Sequence, residues 1–310
     1  MKSDEKKKNF VKQLKKHRIF YLFLLPAVVM VFLFSYMPMW GILIAFKDFK
    51  MARGIMGSEW VGFEHFQKLF ADPVFYRVLK NTLIIGITTL LTTFPVTIIF
   101  TILINEIMHA KFKKLVQTIT YLPHFLSWVV VGTFAYQILS PSSGILNTIL
   151  VKLGILDKSV YFMAQPDMFV PIYLIVNLWK ETGYSIVVYL AVIAGIGMEQ
   201  YEAAMIDGAN RFQKILHITL PAMLPTICIM LILNIGSIIS VGFDPIFNLY
   251  NDATYQTADV ISTFVYRKGM IEAQFDYSTA VGLFQNVVSL TLVLFSNWFA
   301  RKANPEYRVI

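Results

Sequence analysis

Polar side chains are rare in the long apolar stretches of this sequence, and a few of them could bind a solute. The candidates lie in two stretches, one beginning near Val170 and the other near Ile218. They are Asn177, Trp179, Glu181, Tyr184, Asn234 and Ser237. A sugar presents hydroxyl groups and an apolar ring face, so amide groups beside aromatic platforms match it chemically. Polar groups are costly in lipid and usually face a cavity or another helix, which makes these residues candidates for a solute pathway.

The sequence does not indicate sites that would make the chain an enzyme. A phosphate-binding P-loop ends in Gly-Lys-Ser/Thr, and the sequence contains no Gly-Lys pair. The five histidines are scattered, with no i, i+4 pair and no nearby cysteine, so no zinc site is predicted. We therefore expect no catalytic residues, no metal and no cofactor in this chain.

One loop, at about residues 199–218, differs from every other segment between the apolar stretches. Its distinctive residues are Glu202, Ala203, Ala204, Asp207, Gly208 and Ala209. Two alanines beside a glutamate predict a short helix with a thin face that can lie in a groove, and Gly208 permits a sharp exit. The alternative is a solvated connector, because glutamate and alanine are common in any helix.

Long apolar helices must position these residues. Of the 310 residues, 56% are hydrophobic and 15% charged, whereas soluble globular chains average about 25% charged. Several stretches exceed the roughly 20 residues that a helix needs to cross the hydrocarbon layer. They are residues 19–46, 82–104, 116–139, 170–196, 218–241 and 279–300. Their interiors lack the alternation of membrane barrel strands, so the predicted fold class is all-α, a polytopic protein with six transmembrane helices.

The positions of lysine and arginine predict the orientation of these spans. Residues 1–18 form a strongly basic segment, which favours retention in the cytoplasm. After six crossings, residues 19–300, the tail at 301–310 returns to the same side. Basic residues also occur within 47–80, on the opposite side, so the bias holds on balance and not in every loop. We expect a multi-pass protein of the cell membrane with both termini in the cytoplasm.

The net charge of +8 could suggest nucleic acid as a partner. Most basic residues, however, flank the predicted spans and do not form one folded basic surface. The expected partner of these charges is therefore the lipid bilayer, and no nucleic-acid binding is predicted.

The loop at 199–218 resembles a known motif. Glu202-Ala203-Ala204, a glycine six positions after the glutamate, and the later Ile218-Thr219-Leu220-Pro221 are similar to the EAA loop of binding-protein-dependent ABC importer permeases. Segments 24–26, 45–49 and 62–66 also resemble LplB-type carbohydrate permeases, which are relatives of the maltose permeases. One position that is usually aromatic in the motif is Ile215 here.

The resemblance implies a type I ABC importer permease fold and the role of a permease subunit that translocates a carbohydrate, with an oligosaccharide as the expected cargo. In that family the EAA loop seats in a cleft of a separate ATPase, so residues 202–204 and 207–209 would couple transport to ATP hydrolysis. ATP and magnesium would bind two partner ATPase subunits. The other implied partners are a second, non-identical permease and an extracytoplasmic sugar-binding protein. Positions matching the sugar-contacting segment of the maltose permease include Asn177, Trp179, Tyr184 and Asn234, whereas Lys180-Glu181 departs from it.

Three alternatives remain at the level of sequence. A secondary transporter would carry its own coupling-ion site and usually an inverted repeat, and neither is clear here. An importer permease for a non-sugar solute would share the same loop. The polar residues of the spans could also only join helices, with the Lys180–Glu181 pair satisfied by another subunit.

Overall fold

A computed structural model of the chain describes residues 16–303. The predicted terminal segments 1–18 and 301–310 therefore lie mostly outside the described residues. The described part is almost entirely helical, with one antiparallel pair of two-residue strands, β1 (Lys47–Asp48) and β2 (Glu59–Trp60). The predicted all-helical fold class is confirmed.

Helices of membrane-spanning length dominate the described residues. Four segments are long and apolar enough to cross a bilayer: Arg18–Phe46, Pro73–Asn105, Arg211–Gly236 and Phe275–Lys302. Two further pairs of consecutive helices are long and apolar enough only when the two helices of the pair are taken together, and each pair is bent at its break. The bend is 101° between Ala110–Phe125 and Trp128–Leu139, and 70° between Pro166–Ala194 and Met198–Ile206. Residues 16–303 thus hold four such helices, or six if each bent pair is one span, and the predicted number corresponds to the larger count.

The helices fall into a long set and a short set. The long helices are α1 (Arg18–Val31), α4 (Pro73–Asn105), α5 (Ala110–Tyr121), α6 (Trp128–Leu139), α8 (Phe169–Ala194), α11 (Leu220–Gly236) and α15 (Phe275–Ala303). The short helices are α2 (Gly54–Gly57), α3 (Glu64–Ala71), α7 (Ile145–Lys152), α9 (Met198–Ile206), α10 (Arg211–Lys214), α12 (Phe243–Phe247), α13 (Tyr255–Ala258) and α14 (Ile261–Tyr266). The short helices connect the long ones at either end.

The first span stands apart from the rest of the chain. α1 continues through a π-helical turn, Phe32–Tyr36, into a 3₁₀ segment, Met37–Phe46. The most apolar window of this span is 0% buried within the chain. Within residues 16–303, only the end of this span packs, where Met37–Phe46 lies against α15 and Ala45 is buried. An apolar helix this exposed must contact lipid or another subunit in the membrane.

The third predicted span, 116–139, is broken, which corrects the expected continuous helix. α5 ends at Tyr121, a 3₁₀ turn follows at Leu122–Phe125, and α6 begins at Trp128 after the 101° bend. Pro123 cannot donate a helical hydrogen bond, and the Ser127 hydroxyl caps the first turn of α6. The break places residues 122–127 beside the middle of α8.

The fifth predicted span also needs a correction at its end. The sequence predicts a helix through residue 241, but α11 ends at Gly236 and residues 237–239 form turns. Backbone amides of Ser237, Ile238 and Ser240 each donate to the carbonyl three positions earlier. Ser237 and Ser240 therefore lie close to the end of α11, whereas a continuous helix would place them further along the helix axis.

The core is centred on the pairing of α4 with α8. Buried Ile85 of α4 belongs to the same apolar cluster as Phe169 and Tyr173 of α8. On its other side α8 lies against the end of α5, where Gly183 makes close approach possible. A Cβ at Gly183 would lie 1.8 Å from the carbonyl oxygen of Thr120. α8 is therefore held between α4 and α5 and can present polar side chains to the space between helices.

Candidate functional site

A polar cavity of about 270 Å³ lies between α4, α8 and α11, and we refer to it as the central cavity. From α8 it receives Asn177, Glu181 and Ser185, which recur every four residues and therefore share one helix face. Asn234 and Ser237 line it from α11 and its C-terminal end. Four of the candidate solute-binding residues thus meet at one cavity.

The polar groups of the central cavity differ in how they are held. Asn177 is 8% exposed, and its Nδ2 donates to Thr93 Oγ1 of α4 at 3.3 Å. Asn234 Nδ2 donates to the Met230 carbonyl at 2.7 Å, and Ser237 Oγ donates to the Asn234 carbonyl at 2.8 Å. Among the described residues, Asn234 and Ser237 donate only to carbonyls of α11, which leaves the Asn234 Oδ1 and the Ser237 lone pairs as acceptors for hydroxyl groups.

Glu181 belongs to a network of charged groups at the edge of the cavity. His124 Nδ1 lies 2.8 Å from Glu181 Oε2, and Lys180 Nζ lies 3.4 Å from Glu181 Oε1. Lys180 is 4% exposed, and its Nζ donates to the His124 carbonyl at 2.7 Å. The ammonium group also lies 5.4 Å from the ring centroid of Trp128.

This network corrects one reading of the sequence. The Lys180–Glu181 pair does not depend on another subunit, because its partners His124 and Trp128 are in the same chain. Broken helices in a membrane leave carbonyl groups without helical partners, which neighbouring side chains must satisfy. Lys180 does this for the 3₁₀ turn that follows α5, so the network joins the break to α8.

The structure does not bring Trp179 and Tyr184 into the central cavity. Trp179 is 50% exposed and lines an apolar groove with Leu126 and Phe134. Residues two apart on a helix point to nearly opposite faces, so Trp179 cannot share the face of Asn177. Tyr184 stacks on His124, with ring centroids 3.9 Å apart and an angle of 3° between the planes. A contact of either residue with solute stays a prediction.

Sequence reasoning missed three residues that complete the site. Ser185 follows Glu181 by four positions, so helical periodicity could have found it. Thr93 lies on another helix, 84 positions before its partner Asn177. His124 is 57 positions before Glu181, and only the break after α5 brings it close. No local pattern in the sequence signals either of these two pairings.

Metal ligation is not among the possible roles of the groups described here. Within residues 16–303, no three His, Cys, Asp or Glu side chains are grouped so that they could hold a metal ion. The closest arrangement, His124 with Glu181, has the cation Lys180 as its third member. The central cavity therefore offers hydrogen-bond donors and acceptors to a solute.

The loop at 199–218, the EAA loop, forms two short helices with a tight exit between them. α9 begins after the 70° bend at the end of α8. Gly208 has φ +77°, which glycine adopts without the strain of a side chain. Asn210 then caps α10, since its Oδ1 accepts from the Gln213 amide at 2.9 Å and Gln213 Oε1 accepts from the Asn210 amide at 2.8 Å. The predicted short helix and glycine exit are confirmed.

The surface of the EAA loop is open. Glu202 and Ala203 are exposed, and the Tyr201 hydroxyl ties α9 to Thr219 at 2.9 Å. Large apolar side chains are exposed beside them, with Ile206 at 88% and Phe212 at 67%. Exposed apolar side chains clustered on one loop are typical of surfaces that a partner covers.

Comparison with known proteins places this geometry in a family. Residues 106–309 match the family "Binding-protein-dependent transport system inner membrane component". The polygalacturonan/rhamnogalacturonan transport system permease protein YteP of Bacillus subtilis is 41% identical over 302 residues, which cover 97% of this chain and 94% of YteP. Protein LplB of the same organism is 40% identical over 293 residues, covering 94% of this chain and 92% of LplB. The resemblance inferred from the EAA motif is confirmed.

Solved structures agree with the sequence relatives. A chain of a bacterial ABC transporter that imports the acidic polysaccharide alginate is 43% identical, with a TM-score of 0.87 over 96% of this chain and 99% of that one. A chain of an alginate transporter in complex with an alginate pentasaccharide-bound periplasmic protein is 44% identical, with a TM-score of 0.85 over 94% and 97% of the two chains. The type I permease fold is confirmed, and the relatives are transport components and not enzymes. This chain belongs to the family of binding-protein-dependent transport system inner membrane components.

Proposed function

We propose that this chain is a permease subunit through which an ATP-driven importer passes an oligosaccharide delivered by an extracytoplasmic binding protein. The central cavity carries the proposal, because amide and hydroxyl groups converge there between apolar helices. Asn177, Glu181, Asn234 and Ser237 would contact the hydroxyl groups of the sugar. The relatives named for polygalacturonan, rhamnogalacturonan and alginate support a glycan as cargo.

The charge at the cavity is compatible with acidic as well as neutral glycans. The Glu181 carboxylate lies beside Lys180 and His124, so a negatively charged sugar would not meet an uncompensated carboxylate. An amino acid or another small solute would use the same hydrogen-bonding groups less fully, since it presents fewer hydroxyl groups. We therefore favour a glycan over a non-sugar solute, and family membership argues against a secondary transporter.

The EAA loop would couple ATP hydrolysis in a partner subunit to movement of the membrane helices of this chain. Glu202, Ala203, Ala204, Asp207, Gly208 and Ala209 would dock in a cleft of a separate ATPase subunit, and ATP with magnesium would bind there. The exposed Ile206 and Phe212 support this role, because they leave an apolar surface for a partner to cover. The Tyr201–Thr219 hydrogen bond supplies a direct connection from α9 to the beginning of α11.

The assembly would contain a second, non-identical permease subunit and two ATPase subunits. The exposed first span supports contact with another subunit, since its most apolar window is 0% buried against the rest of residues 16–303. We assign residues 1–18 and 301–310 to the cytoplasm and 19–300 to the six-span domain, because basic residues concentrate in the terminal segments and recur at 111–114 on the same predicted side.

Uptake by the assembled importer in proteoliposomes tests the role of the central cavity. Asn234→Ala removes an amide that bonds only within its own helix, so we expect the fold to be retained. The KM for ATP-dependent uptake of labelled oligosaccharide should rise about fivefold, as a lost hydrogen bond is worth about 1 kcal/mol. The binding protein is kept saturating, so that the change reports on the permease.

Thr88→Ala is the matched control for Asn234→Ala. The Thr88 hydroxyl also bonds only to carbonyls of its own helix, but Thr88 does not line the central cavity. Its KM should stay within about twofold of the parent value. Equal effects of the two variants, or uptake of amino acids but not of oligosaccharides, would contradict the proposed function.

A further inference from the structure

A second cavity, of about 910 Å³, lies beside the EAA loop, and we refer to it as the loop cavity. Its walls come from the end of α4, from α5, from the C-terminal half of α8 and from the EAA loop. It is separate from the central cavity, which uses the opposite side of α8. We propose that the loop cavity binds the phosphate of an anionic lipid headgroup.

The positive charge of the loop cavity supports this ligand. Lys113 of α5 and Arg211 and Lys214 of α10 line it, together with one carboxylate, Glu106. Within residues 16–303, none of the three cations has a carboxylate oxygen within 4.0 Å. An arginine flanked by lysines matches a phosphate, since the guanidinium can donate two parallel hydrogen bonds and each ammonium adds a charge.

Two of the three cations, Lys113 and Arg211, have neutral partners. Lys113 Nζ donates to the Asn105 carbonyl and to Asn105 Oδ1, both at 3.2 Å. The Arg211 Nη2 lies 3.1 Å from the sulfur of Met108. A sulfur atom is a weak acceptor, so a phosphate oxygen would replace it with a large gain.

The opposite wall of the loop cavity is apolar, which favours a lipid over a soluble phosphate compound. Val187, Leu190, Ala191 and Ala194 of α8 form this wall, and Val187 and both alanines are exposed on the side of the helix. An acyl chain can lie along such a wall while its headgroup meets the cations at the end of the helix. Basic pockets between membrane helices recognise anionic lipid headgroups in this way.

A lipid held here would connect elements that otherwise share few polar contacts. Lys113 belongs to α5, whereas Arg211 and Lys214 follow the glycine exit of the EAA loop. One phosphate contacting all three would fix the position of the EAA loop relative to α5 and α8. The expected role in coupling rests on the proposed function, but lipid binding itself does not.

Native mass spectrometry of the purified importer tests the site. The delipidated complex is titrated with phosphatidylglycerol, and the bound lipid is counted at each concentration. Lys113→Gln and Lys214→Gln should each weaken the tightest binding roughly tenfold, as expected for the loss of one charge-assisted contact. The Lys214 ammonium makes no hydrogen bond within residues 16–303, so this variant retains the fold even if Lys113→Gln does not.

Lys111→Gln and Lys114→Gln are matched controls, because both lysines lie on α5, are exposed and do not line the loop cavity. They should bind phosphatidylglycerol within about twofold of the parent. Equal weakening by control and cavity variants would overturn the site, since it would indicate general surface attraction. Displacement of the lipid by equimolar sn-glycerol 1-phosphate would overturn the lipid assignment. Because binding is measured without ATP or cargo, these outcomes are independent of the uptake experiment.

Discussion

α11 separates two segments of opposite character. The EAA loop precedes it, and residues 243–271, which comprise α12, α13, α14 and a π-helical turn, follow its far end. The EAA loop exposes its apolar side chains, as Ile206 and Phe212 illustrate. In the 243–271 segment, Ile246, Ile261 and Phe264 are fully buried. One segment is therefore packed within the chain, and the other is left open.

The buried Asp259 of the 243–271 segment has its polar partners within the chain as well. Arg267 donates to both oxygens of Asp259, at 2.8 and 3.2 Å, and the Thr263 hydroxyl donates to Asp259 at 2.8 Å. Asn81 of α4 donates to the Asp259 carbonyl at 3.0 Å. Burial raises the pKa of the Asp259 carboxyl to about 6, against the hydrogen bond from Thr263 and the charge of Arg77, so the carboxylate is ionised at neutral pH.

Substitutions in the two segments should therefore change different properties of the protein. A change in the 243–271 segment disturbs contacts that the chain makes with itself, so it should lower the free energy of unfolding. A change in the EAA loop should leave the isolated chain stable and impair the assembled importer. The two outcomes can be measured separately, by thermal unfolding and by uptake.

The largest effect is expected for Asp259→Ala. It leaves the Arg267 guanidinium half-buried without its carboxylate, and breaking a buried ion pair costs about 3 kcal/mol of unfolding free energy. The melting temperature of the chain in detergent should fall by several degrees. Asp252→Ala removes an exposed carboxylate of the same segment and should have little effect. Equal melting temperatures for the two variants would show that the 243–271 segment does not depend on this pair.

Gly208→Asp should affect the assembled importer instead of the isolated chain. A side chain at φ +77° must shift the exit of α9, and a loss of 1.4 kcal/mol in docking would lower uptake roughly tenfold. ATP hydrolysis and uptake are measured together. Gly154→Asp is the control, since Gly154 has φ +68° and, like Gly208, no atom within 4 Å of an added Cβ. If both variants retain full uptake, the EAA loop is not the coupling element.

The smallest effect is expected for Trp179→Ala, which tests whether an exposed aromatic side chain by itself marks a functional surface. Trp179 faces the apolar groove and not the central cavity. The KM for oligosaccharide uptake should therefore stay within about twofold of the parent value. A rise comparable to that of Asn234→Ala would assign Trp179 to the solute pathway and contradict the separation of the two surfaces.

Much of the fold could be predicted from hydropathy, and the EAA loop from its motif. Apolar stretches long enough to cross a bilayer allow few structures other than helices, so hydropathy predicts the presence of the spans but not the break at 122–127 or the end of α11 at Gly236. The short helix and its exit at Gly208 are local features as well, because two alanines beside Glu202 predict the helix and the glycine permits the sharp exit.

The central cavity could be predicted only in part. Asn177 and Glu181 are four positions apart and share a helix face. Trp179 is close to both in sequence, but residues two positions apart on a helix point in nearly opposite directions. The 101° bend depends on Pro123, on the Ser127 cap and on Lys180, which belongs to another helix. The His124–Glu181 contact depends on that bend, so tertiary packing and not a local pattern determines it.

Reconstitution tests most directly whether this chain transports only when a separate ATPase moves the EAA loop. Proteoliposomes containing this chain alone are compared with proteoliposomes containing the permease pair, both ATPases and the binding protein, and labelled oligosaccharide is counted inside each. Cargo should accumulate only in the complete assembly and only with ATP present. Accumulation against a gradient by this chain alone would contradict the proposed function.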